Sequence, residues 1–515
     1  MTQTNKNISI LQFSDTHIRK SENFNQAALT KTIKKVNKLN PDYIIHLGDI
    51  TEEGTKEDYE LSKKLLSKIK KPIIYIIGNH DARNVGYELF PKYFGPLKPV
   101  YQDEKVLIVG FDSTIPDRDA GRFGQTSIQA LKKTLKEKGA NKTKIVAFHH
   151  HLLPIPKAGR ERSMILDAGD VLKTILDCKV DLVLNGHRHS ANIYKIEDTT
   201  VINSGTVSHY KTRLGSTHSF NIINIKPKTY QITVHNIENQ AQQTIIKTNK
   251  KTIPPKLNQK PIAKIVQISN TNFTDSNDFQ EKTYNQAIKK INQLNPDLII
   301  HCGEVTDDGL SSSYDVASKQ LKKILNPKII IPGPHDLLHL GQIRFQNKIT
   351  DKNTTFTDKN KTFTVFSATS AQYDEEEGLI GRAQLKNLIK KIQKIPQTQT
   401  KIVAFHHHIL PLPYTREKDP IEDAGDVLKD LTDNKVDMIL TGHRHIANAK
   451  KINRTIVINA NTISSKKTLA KHPNSFNLIE IFKNKTITIT EIIIKTAKQQ
   501  ILGTYDLTIQ KTKNR

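Results

Sequence analysis

Almost every recognisable word in this chain is written twice. KIVAFHHH stands at 144–151 and 401–408, DAGDVLK at 167–173 and 423–429, and GHRH at 186–189 and 442–445, while TIKKVNKLNPD at 32–42 matches AIKKINQLNPD at 287–297. The offset stays between 255 and 257 residues, far beyond the ~20–50 residues of a solenoid unit, so the repeat is a duplicated domain. The copies predict domains over 8–248 and 262–509. Between them, a linker over 249–261 reads NKKTIPPKLNQKP, whose paired prolines and lysines suit an extended, solvated connector.

Within each copy, short β-rich runs alternate with helical ones: ISILQFSD, ALTKTIKKVNKL, YIIHLGD, a charged helix, then PIIYIIGNHD. YIIHL, IIYII, KIVAF and LVLN are continuously apolar, as strands covered on both faces must be. The later runs TTVINSGT, SFNIINIK and YQITVHNI alternate and lie close together, which predicts antiparallel hairpins at the end of each copy. The fold class is α/β, a tandem pair of layered sandwiches.

Composition narrows the chemistry mainly by exclusion. Two cysteines, Cys178 and Cys302, cannot staple a secreted domain or supply a thiolate metal site. The opening MTQTNKNISILQFSD has too short an apolar run for a secretory signal, and no stretch approaches the ~20 apolar residues of a membrane span. A cytoplasmic protein with no membrane contact is the expectation. Lys and Arg number 78 against 51 Asp and Glu, a formal charge of +27, which admits anionic partners. The excess is mostly Lys spread along the chain, so a compositional bias accounts for it at least as well as a binding face.

In the first copy, five apolar strands each run straight into residues able to hold a metal. Asp15 and His17 follow ISILQFS, Asp49 follows YIIHLG, Asn79, His80 and Asp81 follow IIYIIG, His149 and His150 follow KIVAF, and His187 and His189 follow LVLNG. Side chains at the carboxyl ends of neighbouring strands converge in α/β sheets. A mixed set of Asp, Asn and His donors suits borderline and hard divalent ions, and this set exceeds what one ion needs. Asp49 is the candidate bridge between two ions. His80, followed at once by Asp81, is a candidate imidazole oriented by a carboxylate, able to protonate a leaving oxygen. A lone histidine such as His46 reads as a satisfied core or surface residue.

These five blocks, D-x-H (Asp15, His17), G-D (Gly48, Asp49), G-N-H-D (Gly78 to Asp81), H-H (His149, His150) and G-H-x-H (Gly186 to His189), resemble the calcineurin-like metallophosphoesterase signature, in order. Within that superfamily, QFSDTH, NPDYIIHLGDITEEG and IIGNHDAR are most similar to class III cyclic-nucleotide phosphodiesterases and their bacterial and archaeal relatives. The resemblance implies an α-β-β-α sandwich in each copy and two divalent ions, of Mn²⁺, Fe²⁺/Fe³⁺ or Zn²⁺. It implies Asp15, His17, Asp49 and His189 on one ion and Asp49, Asn79, His149 and His187 on the other, with His150 the alternative to His149. His80 would be the catalytic histidine, beside Asp81, and a hydroxide bridging the ions would attack phosphorus. Arg160 and Arg162, in PKAGRERS after the triple His, are candidate phosphate ligands.

The second copy departs from the signature: Asn270 stands at the Asp15 position, Asn272 at His17, Glu304 at Asp49 and Pro334 at Asn79. His335, Asp336, His406, His407, His443 and His445 persist, enough for a single weakly held ion but not for a dinuclear centre. The expectation is an active first half hydrolysing small phosphodiesters, cyclic nucleotides first among them, and a pseudoenzyme second half standing in for a dimer partner. Phosphomonoester hydrolysis, a nuclease, and a basic nucleic-acid-binding scaffold with a relic metal site are the other readings.

Overall fold

The computed structural model describes residues 7–161, 164–213, 215–226, 229–239, 241–249, 260–276, 278–349, 355–414 and 420–507. These fall into two compact units, one built from residues up to 249 and the other from 260 onward. Each unit is described by itself.

In the first unit, two sheets stack face to face. One runs in the order Gln242–Asn249, Thr229–Asn236, Ser219–Ile225, Ile8–Phe13, Tyr43–His46, Ile73–Tyr75. Its three N-terminal strands are mutually parallel, and Ser219–Ile225 adds to Ile8–Phe13 antiparallel and forms a hairpin with Thr229–Asn236. The other contains Asn192–Ile196, Thr199–Asn203, Leu182–Asn185, Thr143–Ala147, Val106–Gly110 and Val100–Gln102 in that order. Thr199–Asn203 pairs antiparallel with Asn192–Ile196 but parallel with Leu182–Asn185, so only one side of this run is a hairpin.

Side-chain alternation sorts the strands into layers. Ile10, Ile45, Ile108, Ile145, Ala147, Leu182, Leu184 and Ile223 point into the core between the sheets. Their neighbours Leu11, Phe13, Ile44 and Phe220 point outward, into a second core closed by helices Gln26–Leu39, Lys56–Leu66 and Gly86–Tyr93. Leu107, Val109, Val146 and Val183 are equally buried on the far face, alongside the apolar stripes of Gln125–Lys138 and Ala168–Asp177. The result is the α-β-β-α sandwich. Local chemistry starts the helices where the pattern does: Asn25 caps Gln26–Leu39 through a hydrogen bond from Ala28 N, and Ala28, Leu29, Ile33 and Val36 make its buried stripe. Ala168–Asp177 also begins at the DAGD run, but Asp167 spends its carboxylate on Phe123 N and Gly124 N rather than on its own helix.

The second unit repeats this plan. One sheet orders Lys328–Ile330, Leu298–His301, Ala263–Ile268, Ser475–Ile481, Thr486–Ile493, Gln499–Asp506, and the other Thr355–Thr357, Phe363–Ser367, Thr400–Ala404, Met438–Thr441, Thr455–Asn459, Asn448–Ile452. It has its own inter-sheet core and its own helix-to-sheet core. No helix among the described residues is long and apolar enough to cross a membrane.

Candidate metal centre

Every candidate ligand of the first unit lies two to four residues beyond the carboxyl end of a strand, on backbone that turns sharply away from the sheet. Asp15, His17, Asp49, His187 and His189 all have positive φ, 56°, 44°, 52°, 74° and 52°. This region is uncommon for residues with a side chain, and such strain clusters at functional sites. Backbone hydrogen bonds between the strand ends hold it: Asp15 N to Gly48 O at 3.0 Å, His17 N to Asp49 O at 2.9 Å and Gly186 N to His149 O at 2.9 Å. Gly48, at φ 88°, is the close-approach point, since a Cβ there would lie 2.7 Å from both Gly78 N and His149 Nδ1.

The turns aim two sets of donor atoms at each other. In the first, His17 Nε2 and His189 Nε2 face one another at 3.1 Å, with Asp15 Oδ1 at 3.4 Å from His189 and 3.9 Å from His17. In the second, Asn79 Oδ1 lies 3.0 Å from both His149 Nε2 and His187 Nδ1. Asp49 Oδ2 belongs to both sets, 3.5 Å from His17 Nε2 and 3.2 Å from His149 Nε2. His149 Nδ1 donates to Leu47 O at 2.7 Å and His189 Nδ1 to Lys211 O at 2.8 Å, which leaves each Nε2 as the inward atom. Asp15 Oδ1 is buried and accepts no hydrogen bond.

Donors 3.0–3.5 Å apart are spaced as neighbouring ligands of one ion are when each binds at about 2.0–2.2 Å. The residues therefore fit a pair of divalent ions sharing Asp49. The charges agree with that fit. Burial alone would lower the pKa of His149, but Asp49 outweighs it and lifts the imidazole to about 9. Burial would raise that of Asp49, but His149 and His80 hold it well down. Positive charge is thus called for beside Asp49, where a cation can replace a proton.

The second histidine of the triple His turns elsewhere. His150 Nδ1 meets Ser113 Oγ at 2.9 Å and its Nε2 donates to Asp119 O at 3.0 Å. His151 lies 2.5 Å from Glu161 Oε1. His46 is a core histidine, fully buried against Thr16 Oγ1 at 3.0 Å.

Asp81 does not orient His80, as its place in the sequence suggested. Its carboxylate accepts from Thr51 N at 2.8 Å, Thr51 Oγ1 at 3.0 Å, Gly78 N at 2.9 Å and Ile50 N at 3.2 Å, tying two strand-end loops together. The His80 ring donates from Nδ1 to Glu52 O at 2.7 Å, and its backbone N–H donates to Asp49 Oδ1 at 2.9 Å. Adjacent residues in a turn point apart, so sequence adjacency did not carry the contact. Arg160 is exposed on the loop after the triple His, where its carbonyl accepts from the Arg188 side chain. Arg162 lies outside the described residues.

Two further residues join the centre. Glu52 Oε2 sits 2.7 Å from His17 Nδ1, and His209 Nε2 approaches the same oxygen at 3.7 Å. Glu52 follows Asp49 by three residues, and the second copy keeps a carboxylate there, Asp307. That retained acid is the signal for Glu52. His209 has no such signal, since Ser465 replaces it.

In the second unit the same turns persist with other side chains. Asn270, Asn272, Glu304, His443 and His445 keep positive φ, at 53°, 46°, 55°, 67° and 44°. Asn270 Nδ2 and Asn272 Nδ2 both donate to Glu304 Oε2, at 2.9 and 3.1 Å. Pro334 opens a short helix in place of Asn79.

The chain is 32% identical over 219 residues to the probable glycerophosphodiester phosphodiesterase GpdQ of Arcobacter nitrofigilis, covering 39% of this chain and 78% of that protein. It is 25% identical over 198 residues to the 3',5'-cyclic adenosine monophosphate phosphodiesterase CpdA of Haemophilus influenzae, covering 35% and 70%. Among solved structures, purple acid phosphatase PPD1 from yellow lupin aligns with a TM-score of 0.38 at 15% identity, over 56% of this chain and 59% of that one. The model of the calcineurin-like phosphoesterase family matches residues 8–191 and again 263–447, both beginning at the first strand of a unit. This chain therefore belongs to the calcineurin-like phosphoesterase family, a hydrolytic phosphoesterase that carries the family domain twice.

Proposed function

We propose that residues 8–248 form the active domain, hydrolysing small phosphodiesters, cyclic nucleotides or their close relatives, at a dinuclear metal centre, and that residues 262–509 are a pseudoenzyme half. The observation that carries this reading is the sharing of Asp49 Oδ2 between two converging donor sets in the first unit. Asp15, His17, Asp49 and His189 would hold one ion, and Asp49, Asn79, His149 and His187 the other. Such ions, when bound, supply Lewis-acid charge to a phosphoryl group and lower the pKa of water.

The protein's own residues do the positioning. Glu52 places its carboxylate against His17 Nδ1, and the Leu47 and Lys211 carbonyls fix His149 and His189 by accepting from their Nδ1. His80, its Nδ1 committed to Glu52 O, keeps Nε2 for a substrate oxygen and is the residue we assign to proton delivery at the leaving group. The diester preference rests on the names of the relatives, both phosphodiesterases.

The test is Mn²⁺-dependent hydrolysis of bis(p-nitrophenyl) phosphate and of cyclic AMP by the wild type, Asp49→Ala and Glu304→Ala. Turnover in the wild type and Glu304→Ala, with Asp49→Ala at background, is the expected result. Activity that survives Asp49→Ala, or disappears with Glu304→Ala in a folded protein, overturns the assignment of the two halves.

A further inference from the structure

We infer that the second unit holds one divalent transition-metal ion, on His406, His443 and Glu304, while a side-chain amide fills the place of the other. The two sides of the degenerate site differ in what they offer. On one side, Asn270 Nδ2 lies 2.9 Å from Glu304 Oε2 and 2.9 Å from His445 Nε2. His445 Nδ1 donates to Lys467 O, so its Nε2 is an acceptor already served by the amide. Asn272 Nδ2 donates to Glu304 Oε2 at 3.1 Å and Asp307 Oδ1 at 3.2 Å, and the Lys467 ammonium reaches Asp307 at 3.2 Å. Where the first unit has a carboxylate oxygen and imidazole lone pairs, this side has N–H groups and an ammonium. A cation between Glu304 Oε2 and His445 Nε2 would have to displace the Asn270 amide hydrogens that already fill that place.

The other side is intact. His406 Nδ1 donates to Cys302 O at 2.6 Å, which turns its Nε2 inward toward His443 Nδ1 at 3.2 Å and Glu304 Oε1 at 3.6 Å. The corresponding separations in the first unit are 3.3 Å for His149 and His187 and 3.2 Å for His149 and Asp49. All three ligand atoms lie within 4.8 Å of one another. The longer Glu304 side chain divides its work, giving Oε2 to the amides and Oε1 to the imidazoles. Pro334 brings no side-chain donor, so the remaining coordination positions fall to water. Two imidazoles and one carboxylate with open positions select zinc- or ferrous-type ions over Mg²⁺ or Ca²⁺. This inference does not depend on what the first unit hydrolyses.

The experiment counts metal. Full-length wild type and the double variant Asp49→Asn/His17→Ala, which takes the shared carboxylate from both donor sets of the first unit and leaves only Asp15 and His189 of one of them, are loaded with Zn²⁺ or Co²⁺, passed through a desalting column and analysed by atomic emission. Three ions per chain are expected in the wild type and one in the double variant, with a Co²⁺ absorption band in both. Adding either Glu304→Gln or His443→Ala to the double variant removes that ion and its band. Glu304→Gln is near-isosteric and covers the case in which His443→Ala fails to fold. A folded double variant without metal, or one whose ion survives both additions, overturns the inference.

Discussion

At the scale of single residues, the duplication acts as an internal control. Asp81 and Asp336 make the same four hydrogen bonds, the latter to Val305 N at 3.0 Å, Thr306 N at 2.7 Å, Thr306 Oγ1 at 2.9 Å and Gly333 N at 2.8 Å. A contact kept where the ligands have gone is structural. Asp81→Asn and Asp336→Asn should each lower the stability of their own unit by about 3 kcal/mol, because an amide cannot accept from all four donors. Urea unfolding of the two variants measures this, and equal stability to wild type would return Asp81 to the catalytic candidates. Glu52 is the opposite case. Its partner His17 is Asn272 in the second unit, where Asp307 accepts from that amide and from Lys467, so the acid persists while the imidazole it faces is present only in the first unit. Glu52→Gln should weaken metal retention by about 10–100-fold with little loss of stability, read by competition with a chromophoric chelator.

At the scale of elements, the strand-end turns are more durable than the side chains they present. Five left-handed residues recur in both units, although only one set is a full ligand set. The backbone is held by strand-to-strand hydrogen bonds that are indifferent to side-chain identity, such as Asn270 N to Gly303 O at 2.9 Å and Asn272 N to Glu304 O at 3.0 Å. The side chains at these positions thus differ between the units while the turns that carry them do not. Replacing Asn270→Asp, Asn272→His, Glu304→Asp and Pro334→Asn together should rebuild it, raising bound metal by one ion per chain over wild type. A folded quadruple variant with an unchanged count would show that the turns alone do not define the site.

At the scale of the whole molecule, each unit has its own two cores, so metal should stabilise the units unequally. Ligand at about 100 times its Kd contributes about 2.7 kcal/mol per site, which for a unit of this size moves its midpoint by about 5–10 °C. Chelation should therefore lower the calorimetric transition of the first unit by more than that of the second. The transition that Asp81→Asn also lowers identifies the first unit, and equal shifts would contradict the asymmetry. The sequence by itself determined the duplication, the layered α/β plan and the five motif blocks, because repetition, period and residue type are properties of the chain order. It also showed which motif residues the second copy replaces. Only the tertiary structure turned His149 toward Asp49 and His150 toward Ser113, moved Asp81 from His80 to the loop backbones, brought Glu52 and His209 to His17 and paired Lys467 with Asp307. Those choices depend on the direction each side chain takes as it leaves a turn, and that direction is fixed by hydrogen bonds between segments 30 to 191 residues apart.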